Sequence, residues 1–362
     1  MAAIRIAGMA NRLTTARIQE IVVMLRHQTA NLTRLLADAT RVTTGVASGP
    51  RADARAVFPA RHADGAGAIA HLTLETCTED LAMCRWVAYT GVSERLENVV
   101  TRPARSLVHQ SLHASQCKTA TNGDGFGLGW FGDRSTPGVY REISPAWSDE
   151  NLLSLCAQLS AQTFFAHVRA STGAATARTN CHPFSVGPWL FMHNGQIGGF
   201  CNIRRRIENM IPDRLYQHRR GGTDSEAIFL TAMGMVENEG PIEAIRATLT
   251  RIHHEMLQAQ VQEAFRFAAA MSDGRVLTVF RWSSDDLAPS VYFRKSAGAL
   301  VVVSEPIDDH ADGWQALPAN QVLSVPCGPN SAAPAIAPFE AGHEQDTCRP
   351  ADHVRGRVPA TA

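Results

Sequence analysis

The segment 122-NGDGFGLGW-130 decides which class of fold this chain adopts. Its G-x-G spacing invites a dinucleotide-binding loop, in which glycines let the backbone approach a pyrophosphate. Such a loop follows a strand and opens directly into a helix. Here the strand-like 127-GLGWF-131 follows instead. The cofactor loop is therefore rejected, and no cofactor is expected.

Working outward, alternating or short apolar runs predict strands at 86–90, 127–131, 163–168, 189–193, 266–271, 276–282, 290–293, 299–303 and 321–325. Helical spacing fills 149–160, 199–209, 224–237 and 242–262. Strands, then helices, then strands again describe an α+β fold rather than a repeated strand–helix–strand unit. The organised domain runs over 84–326. Ahead of it, residues 1–83 are rich in Ala, Arg and Thr; 17-RIQEIVVMLRHQTANLTRLL-36 has amphipathic spacing, and 43-TTGVASGPRADARAVFPARHADGAGA-68 reads as linker. The tail 327–362, with Pro, Ala and Gly but no hydrophobic period, is expected to be disordered.

The balance of 34 basic and 34 acidic residues gives no electrostatic reason to expect nucleic acid or an anionic membrane as a partner. No apolar run reaches the roughly 18 residues of a membrane span; 227-AIFLTAMGMV-236 is too short. The 8 cysteines include no C-x-x-C pair, so a zinc knuckle or a thioredoxin-like motif is not expected. A reduced, cytoplasmic protein is the expectation. The neighbours Cys181-His182 and His253-His254 point in different directions on any regular element, and no metal site is read from them.

Four short segments carry candidate chemistry. The first is 81-LAMCRWVAYTG-91, which reads like the start of a protein. Were Met83 removed, Cys84 would carry a free α-amine, whose reference pKa is about 7.7–8.0. That amine can act as a base for the thiol of the same residue. In 166-AHVRASTG-173, Arg169 ends a strand; it is either a structural ion pair or a planar fork for a carboxylate. Asn194-Gly195, after the strand 189-WLFMH-193, is a hairpin-turn dipeptide. Such a turn can aim the Asn194 amide and the Gly195 N–H at one point, as an oxyanion hole requires. In 223-TDSE-226, Thr223 and Glu226 match a helix capping box, and Asp224 in the first turn suits the helix dipole. A carboxylate there can also receive a substrate ammonium.

The order of these signals is more specific than any one of them. A Met-Cys start, N-x-D-G-F-G, H-x-R-A-S-T, H-N-G and T-D-S-E together resemble the class II glutamine amidotransferases, members of the N-terminal-nucleophile hydrolases. The resemblance runs from Cys84 to about Val325. Segments 104-ARSLVHQSLHAS-115, 143-ISPAWSDENL-152 and 179-TNCHPF-184 strengthen a likeness to the small stand-alone branch, with its glutathione-degrading and ergothioneine-pathway γ-glutamyl amidohydrolases. It implies a four-layer αββα sandwich of two antiparallel sheets. It also implies that Cys84 is the nucleophile and its amine the base, with Asn194 and Gly195 as the oxyanion hole. Arg169 would hold the substrate α-carboxylate and Asp224 its α-ammonium. Thr172, Asn122, Asp124 and Gly125 would complete the substrate site beside the nucleophile.

The activity so implied is attack of the Cys84 thiol on the γ-amide of glutamine or a γ-glutamyl peptide, through a glutamyl thioester. With no synthase domain in the sequence, hydrolysis is favoured over transfer of ammonia to a partner subunit. Ala170 stands where the large biosynthetic members carry tryptophan, which implies a roomier pocket. The mechanism needs Cys84 at the N-terminus. Residues 1–83 are accordingly read as an upstream start codon taken in place of Met83, or as a pro- or targeting segment. Retained, they would leave an inactive γ-glutamyl-binding protein. A thiol–imidazole pair of Cys84 with His167 or His193 is the remaining alternative.

Overall fold

The computed structural model describes residues 84–112, 121–171, 175–285, 287–296, 298–308, 313–329 and 333–342. The strands are β1 (Arg85–Arg95), β2 (Phe126–Trp130), β3 (Gly138–Glu142), β4 (Ser160–Val168), β5 (Phe184–Val186), β6 (Trp189–Ile197), β7 (Phe265–Ser272), β8 (Val276–Ser283), β9 (Tyr292–Ser296), β10 (Ala299–Val303), β11 (Gln315–Ala316), β12 (Gln321–Pro326) and β13 (Ala335–Pro338). The helices are α1 (Glu97–Val100), α2 (Leu107–Leu112), α3 (Glu150–Gln158), α4 (Phe200–Glu208), α5 (Asp213–Tyr216), α6 (Asp224–Met233) and α7 (Val236–Gln258).

The strands form a 7-stranded sheet, β11-β9-β10-β1-β4-β2-β3, and a 6-stranded sheet, β13-β12-β8-β7-β6-β5. Every neighbouring pair is antiparallel. Because side chains alternate across a strand, each sheet buries two faces. In β1, Trp86 and Ala88 join Phe165, Leu190, Met192 and Val279 in a core between the sheets. Val87 and Tyr89 instead face a core with Val99 of α1, Leu107 of α2 and Leu152 of α3. In β6, Phe191 faces a third core with Ile203 of α4, Phe229 of α6 and Ile245 of α7. Helices, sheet, sheet, helices: this is the expected four-layer α+β sandwich. Burial on both faces explains why these strands read as nearly unbroken apolar runs.

Several local expectations are corrected. Asn194-Gly195 is no hairpin turn; both residues lie inside β6, opposite Ala268 and Phe267 of β7. Gly195 serves a close approach instead. Its φ is +149°, and a β-carbon there would collide with the carbonyl oxygen of Arg266 and lie 2.7 Å from His193 Nε2. The helix expected over 224–237 ends at Met233, and the next begins at Val236 rather than 242. A non-helical Gly240 before Pro241 breaks it internally and hid its first turn from periodicity. The expectation of disorder from 327 is also overturned in part. Residues 335–338 form the edge strand β13 on β12, and Phe339 is fully buried beside Phe280. Exposed Ala and Pro on that edge carry no hydrophobic alternation to read.

Candidate active site

Antiparallel register brings the first two candidates together. Arg85 of β1 pairs with Val168 of β4, so Cys84 and Arg169 extend from adjoining strand ends. Both line one cavity of about 750 Å³, as do Gly195, Gln196 and Ile197 of β6 and Asp224 at the start of α6. The Cys84 thiol donates to the carbonyl of Ala170 at 3.5 Å.

Behind Cys84 stands a buried ionic network that sequence reasoning missed. Arg85 Nη1 donates to the Cys84 carbonyl at 3.1 Å, and its Nε pairs with Glu305 Oε2 at 2.9 Å. Arg105 reaches the other oxygen of Glu305 at 3.4 Å. Gln110 Nε2 donates to the backbone carbonyls of Arg105, Glu305 and Pro306, tying α2 to the same corner. Desolvation offsets much of the Coulomb gain of such a pair. Its effect is to hold the backbone after Cys84 in one place.

The loop at Asn122–Gly125 builds the Arg169 side. Asn122 is pinned to α2, its N–H donating to Ser111 O at 2.7 Å and its Nδ2 to Gln110 O at 3.3 Å. Gly125, at φ +119°, passes where a β-carbon would lie 2.6 Å from Cys181 Sγ and 2.7 Å from Glu142 O. That path lets Arg169 N donate to Gly125 O at 2.8 Å and Asp124 N to Arg169 O at 3.1 Å. The Asp124 carboxylate accepts from Ser171 N at 2.7 Å, while Arg169 Nη1 donates to Asp124 O at 3.4 Å and Nη2 to Ser171 Oγ at 3.0 Å. Asn122, Asp124 and Gly125 therefore stand behind the cavity wall and act on it through Arg169 and Ser171. Thr172 lies outside the described residues.

On the other sheet, Asp224 opens α6 with both oxygens engaged: Oδ2 accepts from Ile197 N at 2.9 Å and Oδ1 from Ser225 N at 2.8 Å. Thr223 caps the helix, its hydroxyl accepting from Glu226 N at 3.3 Å. Glu226 does not complete the expected capping box. It takes the backbone N–H groups of Arg220 and Gly221, at 3.2 and 2.8 Å, and the guanidinium of Arg219 at 2.9 Å. The rim of the cavity is folded around that carboxylate. Asn180 adds a clasp by accepting from Gly222 N at 2.8 Å. Asn194 is buried in β6, and its Nδ2 has no hydrogen-bond partner among the described residues.

Three buried histidines surround this end of the sandwich. His167 and His182 pack ring to ring, with centroids 4.2 Å apart, and His193 Nδ1 meets Ser225 Oγ at 2.9 Å. Burial pushes His167 down to about 3 and His182 well below the usual histidine value. Burial also lowers His193, against the opposing pull of Asp224. Each of these shifts favours the neutral imidazole over the imidazolium that a thiolate–imidazolium pair requires. In the sequence His182 stood out only in the pair Cys181-His182 and within 179-TNCHPF-184, neither of which foretold its packing on His167. Among the described residues no group of three or more His, Cys, Asp and Glu side chains is arranged to hold a metal ion.

A thiol, a guanidinium and a carboxylate thus line one cavity of a fold built from two antiparallel sheets with flanking helices. The chain belongs to the class-II glutamine amidotransferases, whose family model matches residues 97–296. It is 30% identical to the probable glutamine amidotransferase DUG3 of Saccharomyces cerevisiae, over 67% of this chain and 82% of that one. It is 27% identical to the gamma-glutamyl-hercynylcysteine sulfoxide hydrolase of Mycolicibacterium smegmatis, over 67% of this chain and 96% of that one. Among solved structures, a glutamine aminotransferase class-II domain protein from Silicibacter pomeroyi superposes with a TM-score of 0.55 at 32% identity, covering 71% of this chain and 99% of the other. No helix among the described residues is long and apolar enough to cross a membrane.

Proposed function

We propose that this enzyme is a γ-glutamyl amidohydrolase whose nucleophile is the thiol of Cys84 at a processed N-terminus. One observation carries the reading: Cys84, Arg169 and Asp224 line a single cavity. A γ-glutamyl amide presents one carboxylate, one ammonium and one scissile carbonyl, and the cavity offers a complement to each. Arg169 binds the α-carboxylate and Asp224 the α-ammonium.

The α-amine of Cys84 accepts the thiol proton as Sγ bonds to the amide carbon. Charge develops on the carbonyl oxygen, which the unpartnered Nδ2 of Asn194 and the N–H of Gly195 receive. A buried donor without a partner costs about 1–3 kcal/mol, and an oxyanion removes that cost only as the bond forms. The C–N bond then breaks, the leaving amine takes the proton from the α-ammonium of Cys84, and a γ-glutamyl thioester remains. Water, deprotonated by the same amine, releases glutamate and regenerates the thiol. Asn122, Asp124 and Gly125 hold Arg169 in place, and Thr172 is a further substrate-binding residue in this reading. We favour release of ammonia or amine into the cytoplasm over its transfer to a partner subunit.

A peptide bond to Met83 turns the base into a non-basic amide, so the mechanism requires the chain to begin at Cys84. Intact mass and N-terminal sequencing of the protein from its native gene test this directly, alongside amine release from γ-glutamyl donors. A chain starting at Cys84 with turnover that vanishes in Cys84→Ala supports the proposal. Turnover that survives Cys84→Ala sinks it. A chain that retains residues before Cys84 and only binds γ-glutamyl compounds points to the non-catalytic reading.

A further inference from the structure

Strand β6 brings more to the cavity than Asn194 and Gly195. It grips the first turn of α6 at two points four residues apart. Ile197 N donates to Asp224 Oδ2 at 2.9 Å, and His193 Nδ1 meets Ser225 Oγ at 2.9 Å. Asn194 and Gly195 lie on the strand between those two points. His193, Gly195, Asp224 and Ser225 all line the cavity.

The grip at Ser225 is not a helix cap. Thr223 already caps α6 by accepting from Glu226 N. Nor does packing call for a histidine at 193: its ring lies against Phe267 and Phe191, with centroids 5.0 and 6.5 Å away, where an apolar ring would also fit. Both side chains are buried, and a buried imidazole and hydroxyl cost free energy unless they are bonded. What they add is a connection to Asp224. Ser225 N donates to Asp224 Oδ1 at 2.8 Å, and the Ser225 hydroxyl reaches the same oxygen at 3.4 Å. With Ile197 N on Oδ2, three donors hold a side chain that would otherwise turn freely. An ionised carboxylate has about four acceptor positions, so about one is left for a ligand.

We propose that His193 and Ser225 are positioning residues for the ammonium site: His193 Nδ1–H donates to Ser225 Oγ, and the hydroxyl so oriented donates to Asp224 Oδ1. This rests on the amidohydrolase reading, in which Asp224 receives the substrate α-ammonium. The two grips fix that carboxylate relative to Asn194 and Gly195, which the same strand carries. A substrate held by its ammonium then has its scissile carbonyl aimed at the oxyanion donors, and misalignment of about 1 Å is enough to slow such a reaction severely.

The test uses two donors that differ only in the α-amine, γ-glutamylglycine and glutarylglycine, with the full protein from its native gene. Ser225→Ala is expected to lower kcat/KM for γ-glutamylglycine about tenfold, chiefly through KM, and to leave glutarylglycine unchanged. Ser225→Thr, which keeps the hydroxyl, should retain the preference, and His193→Phe should lose it as Ser225→Ala does. In an Asp224→Asn background Ser225→Ala should have no further effect. The preference is a ratio read on one sample, so a loss of folded protein lowers both donors alike and cancels. A parent protein with no preference, or a preference that Ser225→Ala leaves intact, overturns the proposal and leaves the amidohydrolase reading standing. A preference lost in Ser225→Ala but kept in His193→Phe overturns the part given to His193. If neither donor is cleaved, the amidohydrolase reading fails, and calorimetry of glutamate and glutarate on the Cys84→Ala protein decides the positioning role. Tighter binding of glutamate that disappears with Ser225→Ala upholds it; equal, absent or unaltered binding overturns it.

Discussion

Arg85 and Glu305, 220 residues apart in the chain, form a wholly buried ion pair at 2.9 Å, and the same guanidinium holds the carbonyl of Cys84. The position of the Cys84 carbonyl is thus tied to a residue just past the end of β10. Glu305→Leu removes the carboxylate that Arg85 and Arg105 both contact and is expected to cost about 3–5 kcal/mol. Adding Arg85→Met should recover part of that loss. Urea denaturation of the two variants checks both values; a single variant as stable as the parent would show the pair to be dispensable.

Asp224→Asn keeps an oxygen for the N–H of Ile197 but removes the charge that would meet a substrate ammonium. The loss of one charge-assisted hydrogen bond, about 1.5–3 kcal/mol, corresponds to a rise in KM of roughly 10- to 100-fold. Steady-state kinetics should show that rise, together with some loss of melting temperature because the amide NH2 then faces the N–H of Ser225. An unchanged KM would remove Asp224 from substrate binding.

Gly195→Ala tests the close approach of β6 to β7. The new β-carbon meets the backbone of Arg266, which cannot swing aside as a side chain would. A loss of about 3 kcal/mol or more is expected, within the range of severe core changes. Gly187→Ala is the control: its φ of +55° is also positive, but open space surrounds it. It should cost less than Gly195→Ala by denaturant titration.

Acid should destabilise the fold through its buried histidines. In the unfolded chain His167 takes a proton near 6.5, whereas burial holds it down to about 3 in the fold. The unfolded state therefore binds more protons below 6.5. The stability is complete above that pH and declines as pH falls toward 3, by up to about 1.4 kcal/mol per pH unit for each such group. His182 and His193 shift in the same direction. Unfolding free energies measured between pH 7 and 5 should fall steeply, and His167→Gln should lessen the slope. A flat profile would show that these imidazoles take up protons in the fold as they do in the unfolded chain.

The α+β class was legible because it rests on short-range pattern, whereas the four-layer sandwich was implied by the family resemblance. Apolar runs such as 163–168, 266–271 and 299–303 are strands in the structure, and the strand after Gly125 excludes a nucleotide loop. Thr223 caps its helix as the T-D-S-E segment suggested, since that hydrogen bond spans one turn. Asn194-Gly195 shows where local reading stops. A glycine with positive φ serves a turn or a close backbone approach equally well, and only β7 alongside decides between them.

By itself, then, the sequence determined the α+β class, the order of the chemical groups along the chain and the helix start at Asp224. All of these follow from side-chain periodicity and contacts within a few residues. Tertiary structure alone decided that Cys84, Arg169 and Asp224 share a cavity, that Glu305 secures the strand after Cys84, and that burial favours the neutral form of three histidines. Those outcomes depend on strand register and on desolvation by distant segments, quantities that no single stretch of sequence contains.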